Sequence, residues 1–239
     1  YLTVRLSHTP RLVCGTDKSD VHYRGEADDT KRSEGGHEYQ SDEAEHKLYP
    51  VAFGEDAESL RVLIPKILSG DPSNIEAQAA RCYWPRLMGP EFKRSTIADD
   101  SNVLLNYGYT ILRASMIRAI VASGLNPSLP IHHSARSNPA ALADDMMEPF
   151  RPLVDVIVRK LVAWKLDYLS PDTKVELSSI LTMDIYTEQQ CSTLPIILQR
   201  LCQSYLNSLT IKKESLEYLN LGSTMEELAT LHTEKKEDA

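Results

Sequence analysis

The sequence predicts a mainly α-helical fold, and three observations carry that reading. From residue 57 onward apolar side chains recur at the three-and-four spacing of a helix that buries one face, as in AESLRVLIPKIL, NVLLNYGYTILRASMIRAIVASG and TLPIILQRLCQSYLNSL. Asp71 with Pro72, and Asn138 with Pro139, each place a capping side chain ahead of a proline whose missing N–H costs nothing at a first helical position. Strand-like alternation is confined to residues 1–15 (YLTVRL, then RLVCG), enough for one or two short strands.

Taken in order, residues 16–48 (TDKSDVHYRGEADDTKRSEGGHEYQSDEAEHKL) carry almost no large aliphatic side chains. They cannot bury enough apolar surface to offset the entropy of ordering and are expected to be disordered or a long loop. Residues 57–68 read as a helix that breaks at SGD. Asp71 and Pro72 then open PSNIEAQAARCYW, which Pro85 is expected to kink or end. Ser101 or Asn102 caps an amphipathic, largely buried helix that stops at Gly124, the residue best suited to the left-handed position after a helix. After LNPSLPIHHSARSN, a long helix is expected from about residue 140 to 167, with Pro152 kinking or breaking it. SPDTKVELSSIL and TLPIILQRLCQSYLNSL read as two further helices, and the acidic tail from Thr224 as a short or frayed one. No internal repeat is evident. The layout is an acidic N-terminal segment (1–55) that is strand-containing or disordered, a helical body (56–223) and an acidic tail (224–239).

At 239 residues with 42% apolar side chains, the chain can build a substantial core as one large domain or two small ones. No apolar run approaches the roughly eighteen residues of a membrane span, and the first residues lack the organisation of a secretory signal. A soluble, cytoplasmic protein without membrane partners is expected. Cys14, Cys82, Cys191 and Cys202 form no CxxC pair, so reduced thiols are expected rather than a zinc ribbon or redox site. The net charge of −8 argues at first against nucleic acid, which needs Lys and Arg to displace counterions. Residues 17–58, however, hold 13 acids and five bases and account for that charge alone. The remainder is near neutral, leaving Arg81, Arg86, Lys93, Arg94, Arg113, Arg118, Arg136 and Arg151 to form a local basic surface. The first residue is Tyr1, as expected of a segment of a longer product.

Candidate chemistry centres on IHHSARSNPAALADDMMEPFRP (131–152). Asp145 and Glu148, three apart on a helix, project from one face about 5 to 6 Å apart at Cβ and can share a hard cation. Acids in a first helical turn also complement the helix dipole, so Asp144, Asp145 and Glu148 have a purely structural reading too. His132 and His133 precede this helix in a loop, where a histidine is often a packing or surface residue. One imidazole with several carboxylates suits Mg2+ or Mn2+ better than structural zinc. Glu76, among Ala77, Ala79 and Ala80, is a third candidate ligand and equally an ordinary first-turn glutamate. An aspartate-rich terpenoid-synthase helix needs a second metal motif, which is not found, and an HD phosphohydrolase needs a His-Asp pair, which does not occur.

SGDPSNIEAQAARCYW (69–84), NVLLNYGYTILRA (102–114) and IHHSARSNPAALADDMMEPFRPLVD (131–155) together resemble the CRISPR-associated endonuclease Cas1, the integrase of spacer acquisition, and its type II branch most of all. The likeness runs over roughly residues 56–215 in the same order. It implies a helical integrase domain in which Glu76, His133 and Glu148 are the catalytic metal ligands, with Asp145 as an assisting acid and Mg2+ or Mn2+ as cofactor. The activity it implies is metal-dependent DNA endonuclease and integrase chemistry. Short foreign fragments would be inserted as spacers into a CRISPR array, in antiviral defence. DNA (spacer precursor and CRISPR repeat), a Cas2 homodimer and a second Cas1 copy are the implied partners, and Arg81, Arg113 and Arg151 are the candidate DNA contacts. Tyr83, Tyr107 and Tyr109 are expected in the core rather than stacked on bases.

The departures from the family pattern bear on these expectations. The family carries an N-terminal β-rich dimerisation domain, whereas about 55 mostly acidic residues precede the helical region here. This puts the homodimer in question and opens an alternative: a catalytically impaired or truncated DNA-binding or assembly subunit. Pro130 stands where the type II pattern has glycine before IHH, and Pro139 with Ala140 replaces polar and aromatic residues. Proline fixes φ and removes a donor, so both bear on the aim of His133.

Overall fold

The computed structural model describes residues 60, 62–66, 73–131, 138–186 and 191–211. The strands expected in residues 1–15, the acidic segment 16–48, Asp71 with Pro72, the histidine pair and the acidic tail all lie outside the described residues. Of the helix expected at 57–68, the described part includes a single 3-10 turn, Ile64–Lys66.

Helix α1 spans Ile75–Met88 and starts from Asn74 in a left-handed conformation (φ 52°) with no side-chain cap. Asparagine is among the few residues other than glycine that accept this region readily. Of the two expected outcomes at Pro85, a kink or an end, the end does not occur: the proline lies inside the helix. Its missing N–H removes one bond, but Tyr83, Trp84 and Leu87 are buried around it and hold the final turn. The end comes at Gly89, where φ reaches 104° and the N–H bonds back to the Pro85 carbonyl at 3.0 Å.

Helix α2, Asn102–Ala122, buries a continuous stripe of Leu104, Leu105, Gly108, Tyr109, Leu112, Met116, Ala119 and Ile120. Ser101 makes no side-chain cap bond. Asp100 serves instead, accepting from the Asn102 N–H at 2.8 Å. The buried Asn102 side chain ties down the preceding loop: it donates to the Lys93 carbonyl (2.9 Å) and accepts from the Ser95 N–H (2.8 Å) and the Arg94 guanidinium (3.0 Å). Gly124 takes the expected left-handed conformation after the helix, with φ 77°.

The helix expected from about residue 140 to 167, with a kink or break at Pro152, is three pieces. Helix α3 (Ala141–Met147) passes into a 3-10 turn (Glu148–Phe150) and then into helix α4 (Arg151–Ala163). Pro149 and Pro152 lack the two N–H groups a continuous helix would need there. The tighter turn absorbs that loss and lets each proline fall near the start of its own element. Helix α5 (Pro171–Ser178) opens with a reciprocal capping box, Ser170 N–H to Thr173 Oγ1 at 2.8 Å and Thr173 N–H to Ser170 Oγ at 3.2 Å. Between it and helix α6 (Leu194–Ile211) lies an element the sequence reading omitted. It is an antiparallel pair, β1 (Asp184–Tyr186) and β2 (Cys191–Thr193), with Ile185 opposite Ser192. Strands of three residues leave too short an alternation to read.

Helix α2 runs through the middle of the described body, with α3, α4, α5 and α6 packed against it. Cys82, Cys191 and Cys202 are free thiols as expected. Burial pushes the Cys202 thiol up to about 12, so it remains protonated at neutral pH. Among the described residues no helix is long and apolar enough to cross a membrane.

Helices α2 and α4 meet closely at Gly108, where an added Cβ would lie 2.4 Å from Val154 Cγ1 of α4. Gly108→Ala is expected to destabilise the fold by about 1 to 3 kcal/mol, the usual cost of overpacking. Thermal unfolding measures it, and the double variant with Val154→Ala should recover part of the loss.

Candidate active site

Helix α1 places Glu76 in its first turn and Arg81 further along, both exposed. Helix α3 carries Asp144 and Asp145 into the core side of the molecule, with Asp145 only 6% exposed. Glu148 opens the 3-10 turn and Arg151 opens α4. Their side chains meet as an ion pair of 2.8 Å between Arg151 Nη2 and Glu148 Oε1, both largely shielded from solvent. His133 lies outside the described residues, but both flanks of its segment are described.

Those flanks are held by the two adjacent acids of α3. Asp145 Oδ2 accepts the backbone N–H of Ile131 at 2.7 Å. Asp144 takes a two-point grip from Arg113 of α2, with Nε to Oδ1 at 2.6 Å and Nη2 to Oδ2 at 2.9 Å. It also accepts from Asn138 Nδ2 at 2.6 Å. Asn138 Oδ1 in turn accepts from Arg113 at 3.0 Å and from the Ala140 N–H at 3.1 Å; the N-cap position is Ala140, so the expected cap at Asn138 is replaced by an Asx turn two residues ahead of it. Burial alone would push the Asp144 carboxyl up. The hydrogen bonds from Arg113 and Asn138 outweigh it and hold the group below its ordinary value. The same bond raises the Arg113 guanidinium above its ordinary value, against the effect of burial.

Beneath Arg151 lies a carboxylate that sequence reasoning missed. Asp155 of α4 is 0% exposed, accepts from the Tyr83 hydroxyl of α1 at 2.6 Å, and accepts a second, short hydrogen bond from the Tyr109 hydroxyl of α2. The Arg151 guanidinium stands 4.9 Å from the centroid of the Tyr109 ring, and Arg94 stands 5.4 Å from it. Tyr83 and Tyr109 are buried, as expected, and Tyr107 is half-buried. The available signal for Asp155 was a lone acid within the apolar run LVDVIV, where a buried position demands polar partners from elsewhere.

Among the described residues, no three or more His, Cys, Asp or Glu side chains are grouped so as to hold a metal. The donor types do fit a hard divalent cation. Glu148 is a largely desolvated carboxylate, and the tether from Asp145 to Ile131 brings the flank of the histidine segment to the helical turn just before it.

Residues 71–167 match the family model described as CRISPR associated protein Cas1. The CRISPR-associated endonuclease Cas1 of Neisseria meningitidis serogroup C is 36% identical over 159 residues, covering 65% of this chain and 52% of that protein. A second relative, CRISPR-associated endonuclease Cas1 2 of Pyrobaculum aerophilum, is 34% identical over 116 residues, covering 46% of this chain and 39% of that protein. The chain thus spans about half the length, or less, of these curated relatives. Among solved structures, a casposase bound to integration product aligns with TM-score 0.59 at 22% identity, covering 74% of this chain and 60% of that one. At that identity the likeness concerns the fold.

The buried acid yields a pH-dependent prediction. Burial pushes the Asp155 carboxyl up from 3.8 to about 6, against the opposing hydrogen bonds of Tyr109 and Tyr83. The folded state therefore holds a proton that the unfolded chain has released between those values. The stability this group contributes is fully present below the unfolded value and is lost as pH rises through the folded one. Across that window the melting temperature should fall with rising pH more steeply in the wild type than in Asp155→Asn. Parallel curves for the two proteins would contradict this account.

Proposed function

We propose, from the premise that residues 71–167 form a Cas1-family domain, that the chain is a divalent-metal-dependent DNA endonuclease and integrase. Its substrates would be short DNA fragments and a CRISPR repeat, joined by phosphodiester transesterification and separated by the reverse or hydrolytic reaction. Mg2+ or Mn2+ is the proposed cofactor and a Cas2 homodimer the proposed partner. The observation that supports this reading best is the tether between Asp145 and Ile131. It fixes the flank of the segment bearing His133 to α3, one helical turn before Glu148, in a region 36% identical to an enzyme named a Cas1 endonuclease.

Glu76, His133 and Glu148 are the proposed ligands. A bound divalent ion would supply charge stabilisation at the scissile phosphate and at the attacking 3' hydroxyl. The chain's own residues prepare the site. Arg151 compensates the charge of the desolvated Glu148 and is itself seated against Tyr109. Arg81, exposed on α1, is the proposed contact to a backbone phosphate.

His133→Ala and Glu148→Ala should each lower Mn2+-dependent joining and cleavage of a repeat-containing duplex by roughly a hundredfold or more, the scale of a lost electrostatic contribution to a transition state. Unchanged turnover in both variants would sink the ligand assignment. If the wild-type chain binds DNA as a monomer with no metal-dependent turnover, it is instead an assembly subunit.

A further inference from the structure

Arg151 is bonded to Glu148, a proposed metal ligand, with 2.8 Å between Nη2 and Oε1 and side chains only 19% and 14% exposed. A carboxylate withdrawn from water to that extent needs a compensating charge, and the guanidinium supplies it. A divalent cation at the same carboxylate supplies that compensation too. Two cations converging on one shielded acid repel each other, because the low local dielectric that strengthens each attraction strengthens the repulsion as well. One of them has to withdraw.

The surroundings give Arg151 somewhere to withdraw to. Its guanidinium stands 4.9 Å from the centroid of the Tyr109 ring, whose hydroxyl donates to the buried Asp155. Glu148 lies three residues before Arg151 and Asp155 four residues after it, so an acid stands about one turn away in each direction, and Asp155 already feels the arginine's charge. Leaving Glu148 therefore costs Arg151 that contact, while its aromatic seat and the attraction of Asp155 remain. Arg113 is held differently, by both oxygens of Asp144 and by Asn138. We infer that Arg151 is a placeholder cation: it occupies the Glu148 carboxylate in the metal-free chain and yields it to a divalent ion, keeping its seat on Tyr109. The placeholder lets a shielded acid form before metal arrives, and it lowers the affinity for that metal. The inference rests on the proposal that Glu148 is a ligand, and its test separates the two.

The test is titration of the whole, metal-free chain with Mn2+ alone, the free ion read by EPR and no DNA present. A placeholder competes with the ion, so Arg151→Gln should tighten Mn2+ binding roughly threefold to tenfold, the scale of one partly screened ion pair. Arg151→Lys, which keeps the competing charge, should bind closer to the wild type than Arg151→Gln does. Glu148→Gln should weaken binding strongly. Weaker or unchanged Mn2+ binding in Arg151→Gln, with Glu148→Gln still defective, would overturn the placeholder and leave the ligand reading intact. Wild-type affinity in Glu148→Gln would overturn both. If Arg151→Gln fails to fold, the wild type decides, by nitrogen NMR of its arginine side chains during a Mg2+ titration, with Arg151→Lys supplying the assignment. The Arg151 guanidinium signals should shift as the site fills, and signals unmoved at saturation would overturn the inference.

Discussion

The arrangement depends on one buried carboxylate. Asp155 cannot sit 0% exposed without donors, and it takes them from two other helices, Tyr83 of α1 and Tyr109 of α2. Those bonds fix the rotation of α4 about its axis, because turning the helix would strand the acid. Arg151 lies four residues earlier, on the same face of α4, and its guanidinium rests against the ring whose hydroxyl holds Asp155. Arg151 then reaches Glu148. The position of the proposed ligand thus descends from the core through Asp155, Tyr109 and Arg151. Each link is worth little alone, a cation–π contact about 0.5 to 2 kcal/mol, but together they restrict one rotamer after another.

The break between α3 and α4 matters for the same reason. Helix α3 is buried nearly all round, at Ala141, Leu142, Ala143, Asp145, Met146 and Met147. Its small residues let it sit close to α2, while α4 presents a different set of faces to the core. A continuous helix would force both segments to share one axis and one phase. Pro149 and Pro152 remove that requirement. The turn between the two helices carries Glu148, so the residues that break the helix also determine where the carboxylate emerges.

Much of this was legible. The period of apolar residues located α1, α2, α5 and α6, and Gly124 marked a helix end because the left-handed region excludes most other residues. The tolerance of Pro85 was not legible, since it depends on how deeply Tyr83, Trp84 and Leu87 are packed. Nor were the partners of polar groups. Tyr83 and Tyr109 could be placed in the core from their apolar neighbours, but their common acceptor lies 72 and 46 residues away. Asp144 and Asp145 look alike in sequence, yet one faces an arginine 31 residues distant and the other a backbone amide 14 residues distant. Periodicity assigns a side chain to a face. It does not say which donor awaits it there.

The same limit applies to the arginines, and it narrows where the proposed DNA substrate could be gripped. Sequence offered Arg81, Arg113 and Arg151 on equal terms. Arg113 is committed to Asp144, and Arg151 to Glu148 and the Tyr109 ring. A guanidinium bonded to a carboxylate offers a phosphate little net charge, and recruiting it would leave a partly buried acid without its partner. Among the described residues Arg81, exposed on α1, has no such commitment. If phosphate is held beside the Glu76 carboxylate, Arg81 is the arginine of the three whose use costs the fold least, and the other two contribute by keeping the acids in place.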